Sequence, residues 1–259
     1  MIFSGGWMNF SDNGKLAAEL AQLASSAKLL LMLDFDGTIS PIVARPQDAQ
    51  LDQDLGKILE KLSALPNTEV WIVSGRSLAD LKEKVPFTNL IGSHGLECPF
   101  LNEKEIDNDD ILQLKNKLEK FLKDFKGVQL EEKKYSISVH YRHVAAQDEV
   151  KIKEIVERLS GNFVITAGKK VWELRQPGRN KGDVCLALLQ HTGCTASIYV
   201  GDDVTDEDAF QALQNKSMTI KIGDGTTAAN YRLPNIESLR FILKKLLDQR
   251  YINNGQVEE

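Results

Sequence analysis

The chain has 259 residues, 42% of them hydrophobic and 27% charged, with 32 basic against 37 acidic side chains. That balance excludes a disordered chain and offers no basic, aromatic-interleaved footprint for nucleic acid, and no apolar run nears the roughly 20 residues needed to cross a bilayer. Cys98, Cys185 and Cys194 are odd in number and lack Cys-x-x-Cys spacing, so they read as reduced thiols, and with no basic-then-apolar leader the expected compartment is the cytoplasm.

In chain order, Leu16, Leu20 and Leu23 mark one face of a short helix over 16–27. Residues 28–33 are an apolar strand that delivers Asp34 and Asp36 at its polar end. Alternate side chains of an extended chain share a face, so both carboxylates can point the same way around Phe35 while Gly37 lets the backbone turn. Such a pair suits phosphoryl transfer, one carboxylate attacking and the other handling a proton. On its own the tetrad reads first as a buried strand closed by an Asx turn. Leu51, Leu55, Ile58, Leu59, Leu62 and Leu65 then predict an amphipathic helix, followed by a strand over 69–74, a helix, and a short strand over 89–91.

The alternation lapses over 101–177. There the pattern predicts a helix over 111–125, strands over 129–133 and 135–143, a helix over 150–159, and strands over 163–166 and 171–175. Helix, two strands, helix, two strands fits an antiparallel sheet with both helices on one side, inserted into the first domain. Alternation resumes with a helix after Asn180, a strand over 197–200, a helix over 207–213, a strand over 218–222 and a closing helix over 236–247. The expected architecture is α/β: a Rossmann-like parallel-sheet core from 1–100 and 178–259, with an α+β cap from 101–177.

Three further segments fall where that core would bind ligands, at the carboxyl ends of parallel strands. Ser74-Gly75-Arg76 offers a hydroxyl and backbone N–H groups ahead of a helix, suited to a phosphate oxygen, although Ser-Gly also makes plain turns. Lys181, opening another helix, is a compact charge that can neutralise a phosphate and keep a carboxylate ionised; a lone Lys is more often solvated. Residues 201–208, Gly-Asp-Asp-Val-Thr-Asp-Glu-Asp, place five acidic groups in a stretch whose charge density calls for solvent or a cation, or simply reflects a helix N-terminus. Asp202, Asp34 and a main-chain carbonyl near Asp36 would give Mg²⁺ hard oxygen ligands, with Asp206 from the same acidic run in the expected set.

The order Asp-Phe-Asp-Gly-Thr, Ser-Gly-Arg, Asn-Lys-Gly and Gly-Asp-Asp-Val-Thr-Asp-Glu-Asp resembles the haloacid dehalogenase superfamily. Gly92-Ser93-His94-Gly95-Leu96-Glu97, the strand ending Val139-His140-Tyr141-Arg142, and Val171-Trp172-Glu173-Leu174-Arg175 narrow the resemblance to trehalose-6-phosphate phosphatases. The resemblance implies a Mg²⁺-dependent hydrolase of trehalose 6-phosphate in which Asp34 is the nucleophile, Asp36 the acid and base, and Ser74 and Lys181 balance charge. It assigns Gly75, Arg76 and His94 to substrate binding, and Glu131, Lys133, Arg142 and Glu173 to the sugar hydroxyls.

The alternation of Tyr135, Ile137, Val139 and Tyr141 with Ser136, Ser138, His140 and Arg142 gives that strand one apolar and one hydrogen-bonding face, which is as readily a solvated outer face as a binding one. His94, taken singly, reads first as a packing residue. Gln176 interrupts the family's usual Arg-Pro step and leaves Arg175 without an assigned role, and Lys134 competes with Lys133. A monomer is expected, with no nucleic acid and no membrane among its partners. The alternatives are a phosphatase of another glycosyl phosphate, such as a glycosylglycerol or glycosylglycerate phosphate, a phosphomutase, and a non-catalytic sugar-phosphate sensor.

Overall fold

A computed structural model describes residues 10–43, 45–86, 88–101, 108–168 and 170–253. The chain divides into two compact units: Met1–Phe100 with Asn180–Glu259, and Leu101–Arg179 between them in sequence.

The first unit holds a six-stranded sheet built from β1 (Leu29–Leu33), β2 (Thr68–Val73), β3 (Asn89–Ile91), β8 (Ala196–Gly201), β9 (Met218–Ile222) and β10 (Tyr231–Leu233). The order is β10-β9-β8-β1-β2-β3, and every pairing is parallel. β1 lies in the middle, and its five residues are all fully buried, as a strand covered on both faces requires. Leu29, Leu31 and Leu33 join one apolar cluster with Leu16 and Leu20 of α1 (Phe10–Ala24), Leu55, Leu59 and Leu62 of α2 (Gln53–Ala64), and Leu239, Leu243 and Leu246 of α8 (Ile236–Asn253). Ile198 and Val200 of β8 belong to that cluster, whereas Tyr199 between them faces the other way and meets Phe210 of α7 (Val204–Ala212) edge-on at 5.7 Å. α6 (Lys181–Thr192) packs against α7, and α3 (Leu78–Lys84) connects β2 to β3.

All six strands run the same way, so their carboxyl ends share one edge of the sheet. Asp34 follows β1, Ser74 follows β2, Gly92 follows β3 and Asp202 follows β8. Four sequence segments separated by up to 168 positions thus converge through topology alone.

The second unit is a four-stranded antiparallel sheet, ordered β4-β5-β7-β6, from β4 (Gln129–Glu132), β5 (Ser136–His140), β6 (Val164–Gly168) and β7 (Val171–Arg175). Ile137, Val139, Trp172 and Leu174 form its apolar core with Ile111, Leu114, Leu118 and Leu122 of α4 (Asn108–Leu122) and Ile152 and Val156 of α5 (Ala146–Leu159). These four sheet residues share one face by alternation, so both helices lie on that face, and the parallel core with a separate antiparallel sheet is the fold class expected.

Several boundaries differ from the pattern. β5 ends at His140 rather than running to residue 143: Tyr141 keeps the apolar face, stacking on Trp172 at 3.9 Å, and Arg142 falls in the following turn. α7 starts at Val204, three residues before the expected start, since Asp203 and Asp206 close a capping box there. β10 was not expected.

Candidate active site

Asp34 leaves β1 as a buried carboxylate, 4% exposed. The chain then folds tightly: the amides of Ile39 and Ser40 both donate to the Phe35 carbonyl, and the Gly37 amide donates to the Ser40 carbonyl. Gly37 has φ +75°, and a Cβ there would collide with the Asp202 carboxylate, so this position needs glycine both for its conformation and for the space the carboxylate occupies.

The two motif carboxylates end in different surroundings. Lys181 Nζ donates to Asp34 Oδ1 and to Asp206 Oδ1, each at 2.7 Å, and the ammonium is almost wholly enclosed. Asp36 instead faces Arg76, whose Nε and Nη2 donate to its two oxygens at 2.6 Å each, with 46% of the Asp36 side chain exposed. Each carboxylate therefore has its own cation, one dry and one wet.

Asp206 is saturated. Its Oδ1 accepts from Lys181 and from Tyr199 Oη at 2.6 Å, and its Oδ2 accepts the amides of Asp202 and Asp203 at 2.9 Å. Lys181 and these donors outweigh burial and hold Asp206 below the usual carboxylate range. Asp34 goes the other way: burial pushes it well up, Lys181 opposes, and the nearby carboxylates of Asp206 and Asp202 push further. Burial and then Asp206 push Asp202 up to about 7. Burial works against the Lys181 charge, but Asp206 and Asp34 raise its pKa above the ordinary value.

Ligand-capable oxygens of Asp34, Asp202 and Asp206 lie within 4.8 Å of one another. Among the described residues Asp202 Oδ1 is buried and has no hydrogen-bond partner. Three clustered carboxylates, one ammonium and an orphaned buried acceptor make a place that a hard divalent cation fits. Lys221 donates to the Asp202 carbonyl at 2.6 Å and holds that turn in place. The rest of the acidic run is used locally: Asp203 caps α7, and Glu207 accepts from the Ala228 amide at 2.8 Å.

Ser74 is 1% exposed, and its hydroxyl accepts from the Arg76 amide at 3.3 Å. His94 is buried in the left-handed region at φ 56°, its amide donating to the Ser74 carbonyl at 2.9 Å, and its ring packs so closely on Gly75 that a Cβ there would fall 2.5 Å from it. A non-glycine residue holds such a backbone only where neighbours impose it. Glu97 is one of them: its Oε2 accepts from Ser93 Oγ and from the Leu78 amide, both at 2.8 Å.

In the second unit, Glu131, Ser138, Glu173 and Thr166 stand opposite one another across all four strands, forming a polar row on the face away from the helices. His140 Nε2 lies 2.8 Å from Glu131 Oε2, and this hydrogen bond is the largest cause holding Glu131 below its ordinary pKa. Glu173 Oε1 accepts from Ser136 Oγ at 2.6 Å and Lys133 Nζ at 3.3 Å. Lys134 lies over the Tyr135 ring at 4.8 Å, so the two adjacent lysines have separate surroundings. Arg142 is exposed in the turn after β5, off that row. Arg175 is buried and donates to the Arg179 carbonyl at 2.7 Å.

Tyr199, inside the expected 197–200 strand, and Glu97, inside the Gly92–Glu97 motif, carry no assigned role in the sequence analysis. A tyrosine inside an apolar strand implies a buried hydroxyl that needs a partner, which was the available signal for the first. Glu97 four residues after Ser93 was the signal for the second.

Residues 32–237 match the trehalose-phosphatase family. The chain belongs to it. It is 31% identical over 225 residues to a trehalose-6-phosphate phosphatase-related protein of Thermoplasma acidophilum, covering 83% of this chain and 95% of that protein. It is 33% identical over 242 residues to a bifunctional trehalose-6-phosphate synthase/phosphatase of Thermoproteus tenax, covering 87% of this chain but spanning only 33% of that longer relative. A solved trehalose-6-phosphate phosphatase related protein superposes with a TM-score of 0.70 at 28% identity, covering 84% of this chain and 96% of its own. The trehalose-phosphatase family is one of phosphatases with the haloacid dehalogenase type of fold, the fold expected from the motifs. Among the described residues, no helix is long and apolar enough to cross a membrane.

Proposed function

We propose that the chain hydrolyses trehalose 6-phosphate to trehalose and inorganic phosphate, as a cytoplasmic monomer, through an aspartyl-phosphate on Asp34. The observation that carries this reading is the division of two carboxylates separated by one residue between two cations, buried Asp34 on Lys181 and half-exposed Asp36 on the fork of Arg76. Asp34 attacks phosphorus in line, and the bond from phosphorus to the sugar oxygen breaks. The sugar alkoxide is a poor leaving group, so it takes a proton from Asp36 as it departs. Asp36 then takes a proton from the water that attacks the phosphoryl group, and phosphate leaves with Asp34 restored.

Ser74 and Lys181 face the charge of the phosphoryl oxygens, with Gly75 and His94 shaping the wall beside them. Asp34, Asp202 and the Asp36 main chain would hold Mg²⁺, which supplies further positive charge to those oxygens. Asp206, with all its acceptor positions engaged, serves by holding Lys181 and the Asp202 backbone in place. Glu131, Lys133 and Glu173 of the polar row, together with Arg142, recognise sugar hydroxyls.

Phosphate release from a panel of esters tests the reading: trehalose 6-phosphate, glucose 6-phosphate, a glycosylglycerol phosphate and a glycosylglycerate phosphate, each with Mg²⁺ and with chelator. The expected result is Mg²⁺-dependent release with trehalose 6-phosphate preferred. Preference for another ester would keep the Asp34 chemistry and overturn the substrate; release from none would point to a sensor, and transfer without free phosphate to a mutase.

A further inference from the structure

Arg76 carries the sequence expectation of a substrate-binding residue, yet four hydrogen bonds already engage its guanidinium. Nε donates to Asp36 Oδ2 and Nη2 to Asp36 Oδ1, both at 2.6 Å; Nη1 donates to Asp80 Oδ2 at 2.7 Å; and Nη2 also donates to the Pro46 carbonyl at 2.8 Å. A guanidinium has five N–H groups, so little donor capacity is left for a ligand. Its flat face lies 5.1 Å from the centre of the buried Phe35 ring, and only 10% of the side chain is exposed.

These partners come from three places in the chain. Phe35 and Asp36 belong to the turn after β1, Pro46 to the short helical turn Pro46–Asp48, and Asp80 to the first turn of α3. Lys84, one turn further along α3, donates to the carbonyls of Gln47 and Ala49 at 3.2 and 2.9 Å, so α3 fastens the 46–49 segment with a second cation. Asp36 itself is half-exposed and would otherwise be free to change rotamer. A planar fork fixes a carboxylate in one plane, which a lysine ammonium does not do. Each Asp36 oxygen receives one Arg76 hydrogen bond and retains a second acceptor position for a proton.

We infer that Arg76 is a positioning residue for the proton-transfer step: it holds the Asp36 carboxylate in a fixed plane, braced by Phe35, Asp80 and the Pro46 carbonyl, rather than binding substrate. The inference rests on the reading of Asp36 as the acid, and its consequences depend on how much the leaving group needs a proton. A sugar alkoxide needs one; a dinitrophenolate does not.

The test is a double-mutant cycle of Arg76→Ala and Asp36→Asn, with Arg76→Lys as a second variant that keeps the charge and loses the fork. Two rates are read: kcat with trehalose 6-phosphate, and the first-turnover burst of dinitrophenolate from 2,4-dinitrophenyl phosphate. Arg76→Ala and Arg76→Lys should each lower kcat for the sugar ester by about 10- to 100-fold, part of the range general acids supply, while the burst changes less than about 3-fold. In the Asp36→Asn background Arg76→Ala should add almost nothing. Equal losses on both esters, a loss confined to KM, or a full loss persisting in the Asp36→Asn background would show that Arg76 binds the phosphate directly and overturn the inference. A full sugar-ester rate in Asp36→Asn itself would overturn the acid reading and this inference with it, a result distinguishable from the others because Arg76 plays no part in it.

Discussion

The parallel-sheet unit and the antiparallel unit both carry charged pairs, but they keep them in opposite conditions. Lys181, Asp34 and Asp206 are enclosed, with side-chain exposures of 2%, 6% and 0%. Lys133, Glu131 and His140 keep 34%, 48% and 32%. In the dry cluster each charge depends on its partner, because a buried ion left alone costs several kcal/mol; around Lys133, Glu131 and His140 water substitutes for a partner that leaves. The difference teaches that the proposed phosphate chemistry falls to an enclosed, interlocked set, and the proposed sugar recognition to groups that can rearrange.

That contrast can be broken most forcefully at Lys181. Lys181→Met removes the cation between two buried carboxylates, and urea unfolding should show a loss of about 3–5 kcal/mol, with activity abolished. A loss below about 1 kcal/mol would mean the cluster is wetter than its burial implies.

A smaller effect sharpens the cation site. Mg²⁺ should stabilise the wild-type protein, by about 2.7 kcal/mol when the free ion is at 100 times its dissociation constant, and chelator should reverse the shift. Asp202→Asn should abolish most of the stabilisation in a thermal melt without any substrate present. A full shift in Asp202→Asn would remove that residue from the ligand set.

The smallest effect on stability belongs to the polar side chains of the second unit. Arg142→Ala, at an exposed side chain, should change unfolding free energy by less than about 1 kcal/mol, and Glu173→Gln, 18% exposed and bonded to buried Ser136, by about 1 kcal/mol. Each should nonetheless lower kcat/KM for trehalose 6-phosphate at least about 10-fold more than for a small aryl phosphate. Equal losses on both substrates would show that Glu173 and Arg142 do not recognise the sugar.

Much of this was legible before any coordinates. The apolar run before Asp34 and its repeats before Ser74 and Asp202 signal buried parallel strands, because only a strand covered on both faces lacks alternation. Lys181 opening a helix was legible as a charge at the sheet edge. Partnerships across long stretches of chain were not: Arg76 and Asp36 are 40 positions apart, and nothing local distinguishes an arginine that holds a carboxylate from one that binds a ligand. Tyr199 and Asp206 are only seven positions apart, yet their bond depends on a helix folding back onto its own strand, so the sequence signals that the hydroxyl needs a partner without naming it. β10 escaped because three residues at a sheet edge carry too little pattern, although Tyr231 and Leu233 join the apolar core while Arg232 between them donates to the carbonyls of Gly223 and Gly225. Arg142 was expected to continue the strand's hydrogen-bonding face, since alternation shows no sign of the turn that begins there once Tyr141 has stacked on Trp172.

The most direct test of the account is a rapid acid quench of the enzyme turning over trehalose 6-phosphate, followed by peptide mass spectrometry. The account predicts one phosphoryl group on Asp34, released by hydroxylamine as acyl phosphates are, and none in Asp34→Asn, which should fold and be inactive. Turnover by Asp34→Asn at a substantial fraction of the wild-type rate, or a phosphoryl group on another residue, would contradict it.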